Sequence, residues 1–413
     1  MRHILLLLAL LSYIPVTQSI TCTNDFTLVG NKCLRLFNTP TSRTNASRTC
    51  AEYAGNLVTI RNHDDNFLLS AFVGNATDDD IWIGLYCFDK NVTNCLWDGG
   101  QGSAEVYNNF VSSRSEGNPF FGFYKCVYYK VGDPWNGHWL SADCKWLRYS
   151  FVCEIPTTFD DDCALNFNGS CYIPSEELIN STQSLGLDSV QKICQENDGD
   201  LISIHSANEN RFILNYYEGL GLDSVLLGAV VTKHFFWMDD SHWDFSNIDH
   251  TNDEYGTCLK MALQNNITIS KGSWYITPCD GSHYFMCKRP AGNSDLIHVP
   301  KVAKTPPSQC NKVLLMSGTF SSPTYPENCM YTLKTLDGQR IQITFQKFHV
   351  TNGYIEIVEE YQGAEVKQKF SGTNKNLRYK SLTNELKVLF ITEDLENMDS
   401  EFVAKFFSVF ENE

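Results

Sequence analysis

Sixteen cysteines, ten histidines and a run of acids between residues 239 and 254 are the side chains of this 413-residue chain whose types could do chemistry. The histidines are scattered without metal-ligand spacing. No G-x-S-x-G, H-E-x-x-H or phosphate-binding Gly-rich loop occurs, so no enzyme is expected, and a secreted hydrolase working through paired carboxylates is the remote alternative. No CxxC is present, and an even set of cysteines at wide, irregular spacing reads as disulfides instead of zinc or a redox centre. Asp239, Asp240, Asp244, Asp249, Asp253 and Glu254 could gather a cation, although such a cluster is more often a solvated loop.

The compartment follows from the N-terminus. Arg2 and His3 precede an apolar run at residues 4–11, with the small residues Thr17 and Ser19 after it, the pattern of a signal peptide. The run is shorter than the roughly 20 residues a spanning helix needs. With no later apolar stretch and a charged FENE terminus, the mature chain is expected to be soluble and secreted, with no membrane anchor. Sequons begin at Asn45, Asn75, Asn91, Asn168, Asn180 and Asn266 and mark candidate glycosylation on the surface. A formal charge of -16 argues against nucleic acid as the partner.

Cysteine positions divide the chain. Eight lie between Cys22 and Cys153, six between Cys163 and Cys287, and Cys310 and Cys329 stand beyond. Residues 154–162 and the Pro-rich, polar residues 288–309 read as linkers. The first two groups form a degenerate repeat, with Cys22, Cys33, Cys50, Cys126, Cys144 and Cys153 aligned on Cys163, Cys171, Cys194, Cys258, Cys279 and Cys287; Cys87 and Cys95 are extra in the first. In each repeat two helices and short strands must position a long loop. Val190, Ile193, Cys194 and Asn197 recur at helical spacing behind a cap at Asp188 or Ser189. Ser206 and Glu209 make a capping-box pair before a helix whose face is Phe212, Ile213 and Tyr216, and Asn62 caps the counterpart with Phe67, Leu68 and Phe72. The apolar stretches IWIGLYC and VLLGAVV follow as strands, then a Gly/Asn/Asp/Ser-rich segment that bracketing cysteines keep ordered. Past Cys310, the segments RIQITFQKF, YIEIVEEY, NELKVLFI and EFVAKFF alternate as strands of an all-β module.

Both repeats resemble C-type lectin-like domains of the long form. The resemblance rests on Trp82-Ile83-Gly84-Leu85, on its weaker copy Leu226-Leu227-Gly228-Ala229, and on the cysteine order. It implies the disulfides Cys22–Cys33, Cys50–Cys153, Cys126–Cys144, Cys163–Cys171, Cys194–Cys287 and Cys258–Cys279, leaving Cys87 to pair with Cys95. The last module is similar to a CUB domain through SGTFSSPTYPENC, which implies Cys310–Cys329, while Ser371 stands where that family's second disulfide needs a cysteine. The implied fold class is α+β and disulfide-stapled: a signal peptide at 1–19, lectin-like domains at 20–156 and 157–290, a linker at 291–309, and an all-β CUB-like sandwich at 310–413.

In the sugar-binding members a Ca²⁺ ion, wanting roughly 6 to 8 oxygens, is shared with two sugar hydroxyls. Carbonyl-type side chains flanking a cis proline supply half of the shell, and an Asn-Asp pair after a tryptophan supplies the rest. Here Glu116 and Asn118 keep the first half, with Gly117 between them where the proline belongs. After Trp139, however, come Leu140 and Ser141, and Tyr124 replaces an acid. In the second repeat Asn247 and Asp249 sit one residue adrift, Gly256 takes an acid's place, and Tyr275 and Ile276 follow Trp274. In the CUB-like module Gly353 replaces an aspartate, and Glu393 or Asp394 alone makes no site. Calcium is therefore not favoured and no cofactor is expected. The dense aromatics between residues 120 and 151 are mostly core, and Phe120 and Phe121 join Glu116, Asn118, Asn247 and Asp249 as candidate ligand contacts. The architecture is similar to invertebrate secreted proteins implicated in defence against microbes. It implies recognition of glycans or glycoproteins, microbial surfaces among them, without a calcium bridge; the alternative is a protein-binding scaffold.

Overall fold

In the computed structural model, which describes residues 19–74, 76–111, 124–179, 185–232, 235–249, 256–265, 269–279, 284–292, 310–323, 328–374, 377–392 and 400–410, the two repeats carry the same sheet. Its order in the first is Thr27–Val29, Lys32–Thr41, Tyr149–Ile155, Ile81–Cys87, Cys126–Tyr129 and Trp139–Ala142. In the second it is Leu165–Phe167, Ser170–Pro174, Tyr284–Pro290, Ser224–Val231, Cys258–Ala262 and Trp274–Thr277. Strand Ile81–Cys87 is buried at every position, as a continuous apolar run at the centre of a sheet must be. Gly84 and Gly228 donate to the carbonyls of Val58 and Ile202 at 2.8 Å each. A Cβ on either would lie 2.5 Å from the carbonyl oxygen of Leu57 or Leu201, so only glycine allows the approach.

The helices turn differently from the simple apolar-face expectation. Helix His63–Val73, capped by Asn62 accepting from Asp65 N, buries Asn66, Leu69 and Val73, and Phe67 is 65% exposed. Helix Ala207–Tyr217, capped by Ser206 accepting from Glu209 N at 3.0 Å, likewise buries Asn210, Ile213, Leu214 and Tyr217, leaving Phe212 and Tyr216 at the margin. In both, an asparagine takes the inner face because a buried indole N–H opposite it must have an acceptor. Helix Leu187–Gln195 starts behind Gly186 with no side-chain cap, earlier than Asp188 or Ser189. Leu187 packs against the cluster of Val190 and Cys194, and that packing draws the start forward.

Disulfides join Cys22–Cys33, Cys50–Cys153, Cys87–Cys95, Cys126–Cys144, Cys163–Cys171, Cys194–Cys287, Cys258–Cys279 and Cys310–Cys329. The first linker-like stretch is built into the fold: Thr158–Phe159 pairs with Ile20–Thr21, and Asp161 grips Arg289 at 2.9 and 3.0 Å. No helix among the described residues is long and apolar enough to cross a membrane.

The third module is a β-sandwich around Phe320, Tyr331, Ile343, Phe345, Val388 and Phe402. Its bent strand Gln339–Tyr361 pairs first with Glu401–Phe410 and Arg378–Lys380, then with Ala364–Thr373 and Glu385–Thr392. Gly353 has φ +140°, and a Cβ there would meet the Ile391 carbonyl at 2.1 Å, so no aspartate fits. The three modules share cores: Ala54 and Phe407 enter the second repeat's cluster, and Met316 and Leu336 enter the first's beside Trp82. Asn215 Nδ2 also donates to the Glu52 carbonyl at 2.6 Å across the two repeats.

Candidate functional site

Each repeat fixes the start of its long loop with one lock. The Trp139 indole N–H donates to Asn66 Oδ1 at 3.0 Å, and the Nδ2 groups of Asn66 and Asn109 both donate to the Gly137 carbonyl, at 3.1 and 2.7 Å. In the second repeat Trp274 donates to Asn210 at 2.7 Å, while Asn210 and Asn247 donate to the Gly272 carbonyl at 3.0 and 2.8 Å. Gly137 and Gly272 share φ +85°, a conformation glycine tolerates best. Backbone pairing repeats as well: Trp139 N donates to Asn109 O at 2.9 Å and Trp274 N to Asn247 O at 2.7 Å. Both indoles are fully buried under edge-on rings, Trp97, Tyr107 and Phe110 around one and Trp237, Trp243 and Phe245 around the other.

Asn247 is thus the counterpart of Asn109, its amide held by a glycine carbonyl, and Asp249 falls where Val111 stands. Glu116, Asn118, Phe120 and Phe121 lie outside the described residues, as do Asp253, Glu254, Glu393, Asp394 and the sequons at Asn75, Asn180 and Asn266. Asn45, Asn91 and Asn168 are exposed. Among the dense aromatics Tyr129 and Trp139 are core, whereas Tyr124, Trp135 and Trp146 are exposed, the last by 82%.

The described residues do not fit calcium as sugar-binding domains hold it. Leu140 and Ser141 lie in a strand opposite Tyr128 and Val127, and Tyr275 and Ile276 lie opposite Lys260 and Leu259. Two of the second repeat's acids are engaged elsewhere: Asp239 accepts from the Ser203 and Ser241 hydroxyls, and Asp244 pairs with His205 Nδ1 at 2.7 Å. Among the described residues the one group with converging ligand atoms is Asp161 with Cys163 and Cys171, whose sulfurs are bonded to each other.

What the second repeat's loop does meet is the third module. Phe245 lies edge-on to Trp274 at 5.6 Å and against Phe407 at 5.5 Å. Arg378 Nη2 donates to Ser246 Oγ at 2.9 Å. Burial lowers the pKa values of Arg378, Lys380 and Lys405, with Asp249 opposing it at the first two and Asp244 at the third. A cavity of about 340 Å³ remains between the two modules, with Asn247, Asp249, Arg378 and Lys380 in its wall. Sequence reasoning did not single out Arg378 or Lys380. Neither carries a local signal: the pairing of Arg378–Lys380 with Gln342–Thr344 sets them beside this loop.

Two copies of one lectin-type fold with a β-sandwich docked on them define a protein of tandem recognition domains. The Lectin C-type domain model matches residues 39–155 and 183–289, and the CUB domain model matches 310–406. The chain belongs to the C-type lectin domain family. It is 36% identical over 279 residues to C-type lectin domain-containing protein 38 of Caenorhabditis elegans, covering 67% of this chain and 69% of that one. It is 24% identical over 284 residues to the secretory phospholipase A2 receptor of Oryctolagus cuniculus, covering 63% of this chain but only 18% of the receptor. Among solved structures, human lithostathine matches with a TM-score of 0.27 and 21% identity, covering 32% of this chain and 90% of that one.

Proposed function

We propose that the chain is a secreted recognition protein that binds glycans or glycoproteins by direct contact, without a calcium bridge and without catalysis. The observation that carries this reading is the pairing of Leu140-Ser141 and Tyr275-Ile276 into strands at the places where calcium-bridged domains put an Asn-Asp pair. Eight disulfides suit an oxidising compartment, and the matched relatives are a lectin-domain protein and a receptor. Microbial surface glycans are the target class, in a defence role. A glycan array run with and without a chelator tests it: sugar retention unchanged by chelator is the expected result, and retention that chelator abolishes overturns it. Converting Leu140→Asn together with Ser141→Asp should raise calcium affinity over the parent if Glu116 and Asn118 still face that site. A protein partner is the second reading, favoured by the exposed Trp146 and Leu147, side chains that anchor protein interfaces well.

A further inference from the structure

The cavity between the second repeat and the third module has the wrong charge for its surroundings. The chain carries a formal net charge of -16, yet among the described residues Arg211, Lys271, Arg378 and Lys380 line this space against one carboxylate, Asp249. Lys271 is occupied, 2.6 Å from Glu218. Arg378 is not: Nη2 donates to Ser246, while Nε and Nη1 are shut off from solvent with no partner among the described residues. Two sealed, unpaired donors leave the charge of Arg378 uncompensated inside the junction, which favours an anion at the face this residue turns to the cavity.

Its strand is anchored by bonds that do not involve Arg378 itself. The Tyr379 hydroxyl donates to buried Glu359, which also accepts from the N–H groups of Leu382 and Thr383 at 2.8 and 3.0 Å. The strand that carries Arg378 is therefore fixed before any ligand arrives. Opposite it, Phe245 and Phe407 give the cavity an aromatic wall. Its volume, about 340 Å³, lies within the range of small-molecule sites, roughly 300–1,000 Å³.

We propose that this cavity takes an anionic sugar, a hexose bearing a sulfate ester or a carboxylate, with its charged oxygens between Lys380 and the face that Arg378 turns to the cavity, and its ring against Phe245 and Phe407. A lysine ammonium beside a guanidinium offers charge-assisted bonds to the oxygens of either group, and a phenyl face suits the apolar face of a sugar ring. This inference rests on the glycan reading and narrows it to a site that neither lectin-like domain makes alone. Attraction in so acidic a molecule is local, so binding weakens as salt rises.

Titration calorimetry of the full chain with galactose 6-sulfate, glucuronate and galactose, plus thermal scans with sodium sulfate, tests the proposal. At least one acidic sugar should bind about 10-fold or more tightly than galactose, and Arg378→Gln should remove about 10- to 100-fold of that affinity. The sulfate ester and the carboxylate are distinguished by which sugar is retained. Lys312→Gln, on an exposed strand of the same module, should change nothing. If Arg378→Gln does not fold, Lys380→Gln, in the same cavity wall, should still weaken the acidic sugar. Equal binding of galactose and both acidic sugars, unaffected by either cavity variant, overturns the proposal and leaves the glycan reading standing. No sugar bound at all, with sulfate alone stabilising the parent, overturns the proposal in favour of a bare anion site, and the glycan array decides the glycan reading separately.

Discussion

The two lectin-like repeats share a lock and differ in what their loops face. At one structural position the first has Tyr107, 5.7 Å from Trp139, and the second has Phe245, 5.6 Å from Trp274 and also 5.5 Å from Phe407 of the third module. Two residues after the locking asparagine, Val111 stands in one and Asp249 in the other, and Asp249 acts on Arg378 and Lys380. The first repeat meets the third module elsewhere, through Thr44 beside Asp337 and Gly338 and through Met316 and Leu336 in its core. Its exposed rings, Tyr124, Trp135 and Trp146, remain on the surface. A duplicated scaffold has thus kept its hydrogen-bonded frame and turned one loop inward as a docking surface. Asp249 of that loop acts on Arg378 and Lys380 across the junction, and Asp244 on Lys405.

The largest expected effects test whether the locks are equivalent. Trp139→Ala and Trp274→Ala should each cost about 3–5 kcal/mol, since both rings are fully buried. The comparison gains its edge if Trp274→Ala also frees the third module, read as new proteolytic cleavage beside Arg378, while Trp139→Ala does not. Phe407→Ala comes next, at about 3 kcal/mol. It should release the second repeat's loop and leave the first repeat's melting unchanged; equal loosening of both would show that the junction is not specific to one loop. Asn66→Ala and Asn210→Ala each strand a buried indole N–H, while the glycine carbonyl keeps its bond from Asn109 or Asn247; the loss should be about 1–3 kcal/mol. Matching losses in denaturant titrations are expected from the matched geometry.

Acid should separate the repeats. The Arg289 guanidinium and the N–H groups of Gly292 and Cys163 hold the Asp161 carboxyl well below its ordinary value. A depressed folded-state value means that this contribution is complete above the unfolded carboxylate value, about 3.9, and is lost as pH falls toward the folded one. Asp161→Asn should therefore cost about 1–2 kcal/mol at neutral pH, and thermal scans should show its deficit against the parent shrinking below about pH 4.

The frame was legible in the sequence because its signals are local or paired: cysteine order, the buried strand around Gly84 and Gly228, and the Asn62 and Ser206 caps. The helix faces were not, since apolar periodicity favoured Phe67 over Asn66. It gives no weight to an asparagine that earns its burial by accepting from an indole more than sixty residues away. Asn247 and Asp249 were singled out by offset from a cysteine, and offset does not distinguish a loop's frame from its ligand face. Arg378 was invisible for a further reason. Nothing within its own strand signals a cavity formed by residues 130 positions upstream, and the contact with Ser246 exists only after both modules have folded.

Trp146 offers the smallest effect on stability and the clearest choice between the two faces. Its turn is fixed by Asp143 Oδ1, which accepts from the N–H groups of Lys145 and Trp146 at 2.8 Å each, so the ring is presented to solvent on an ordered backbone. An aromatic held this way contributes contact area at small entropic cost. Trp146→Ala should shift stability by less than about 0.5 kcal/mol, as for an ordinary surface position. If the outward face of the first repeat carries recognition, the same change lowers affinity for the retained glycan or protein about 10-fold. If affinity is untouched while Arg378→Gln abolishes it, recognition has moved to the inward loop, and the difference between the repeats is one of function as well as packing.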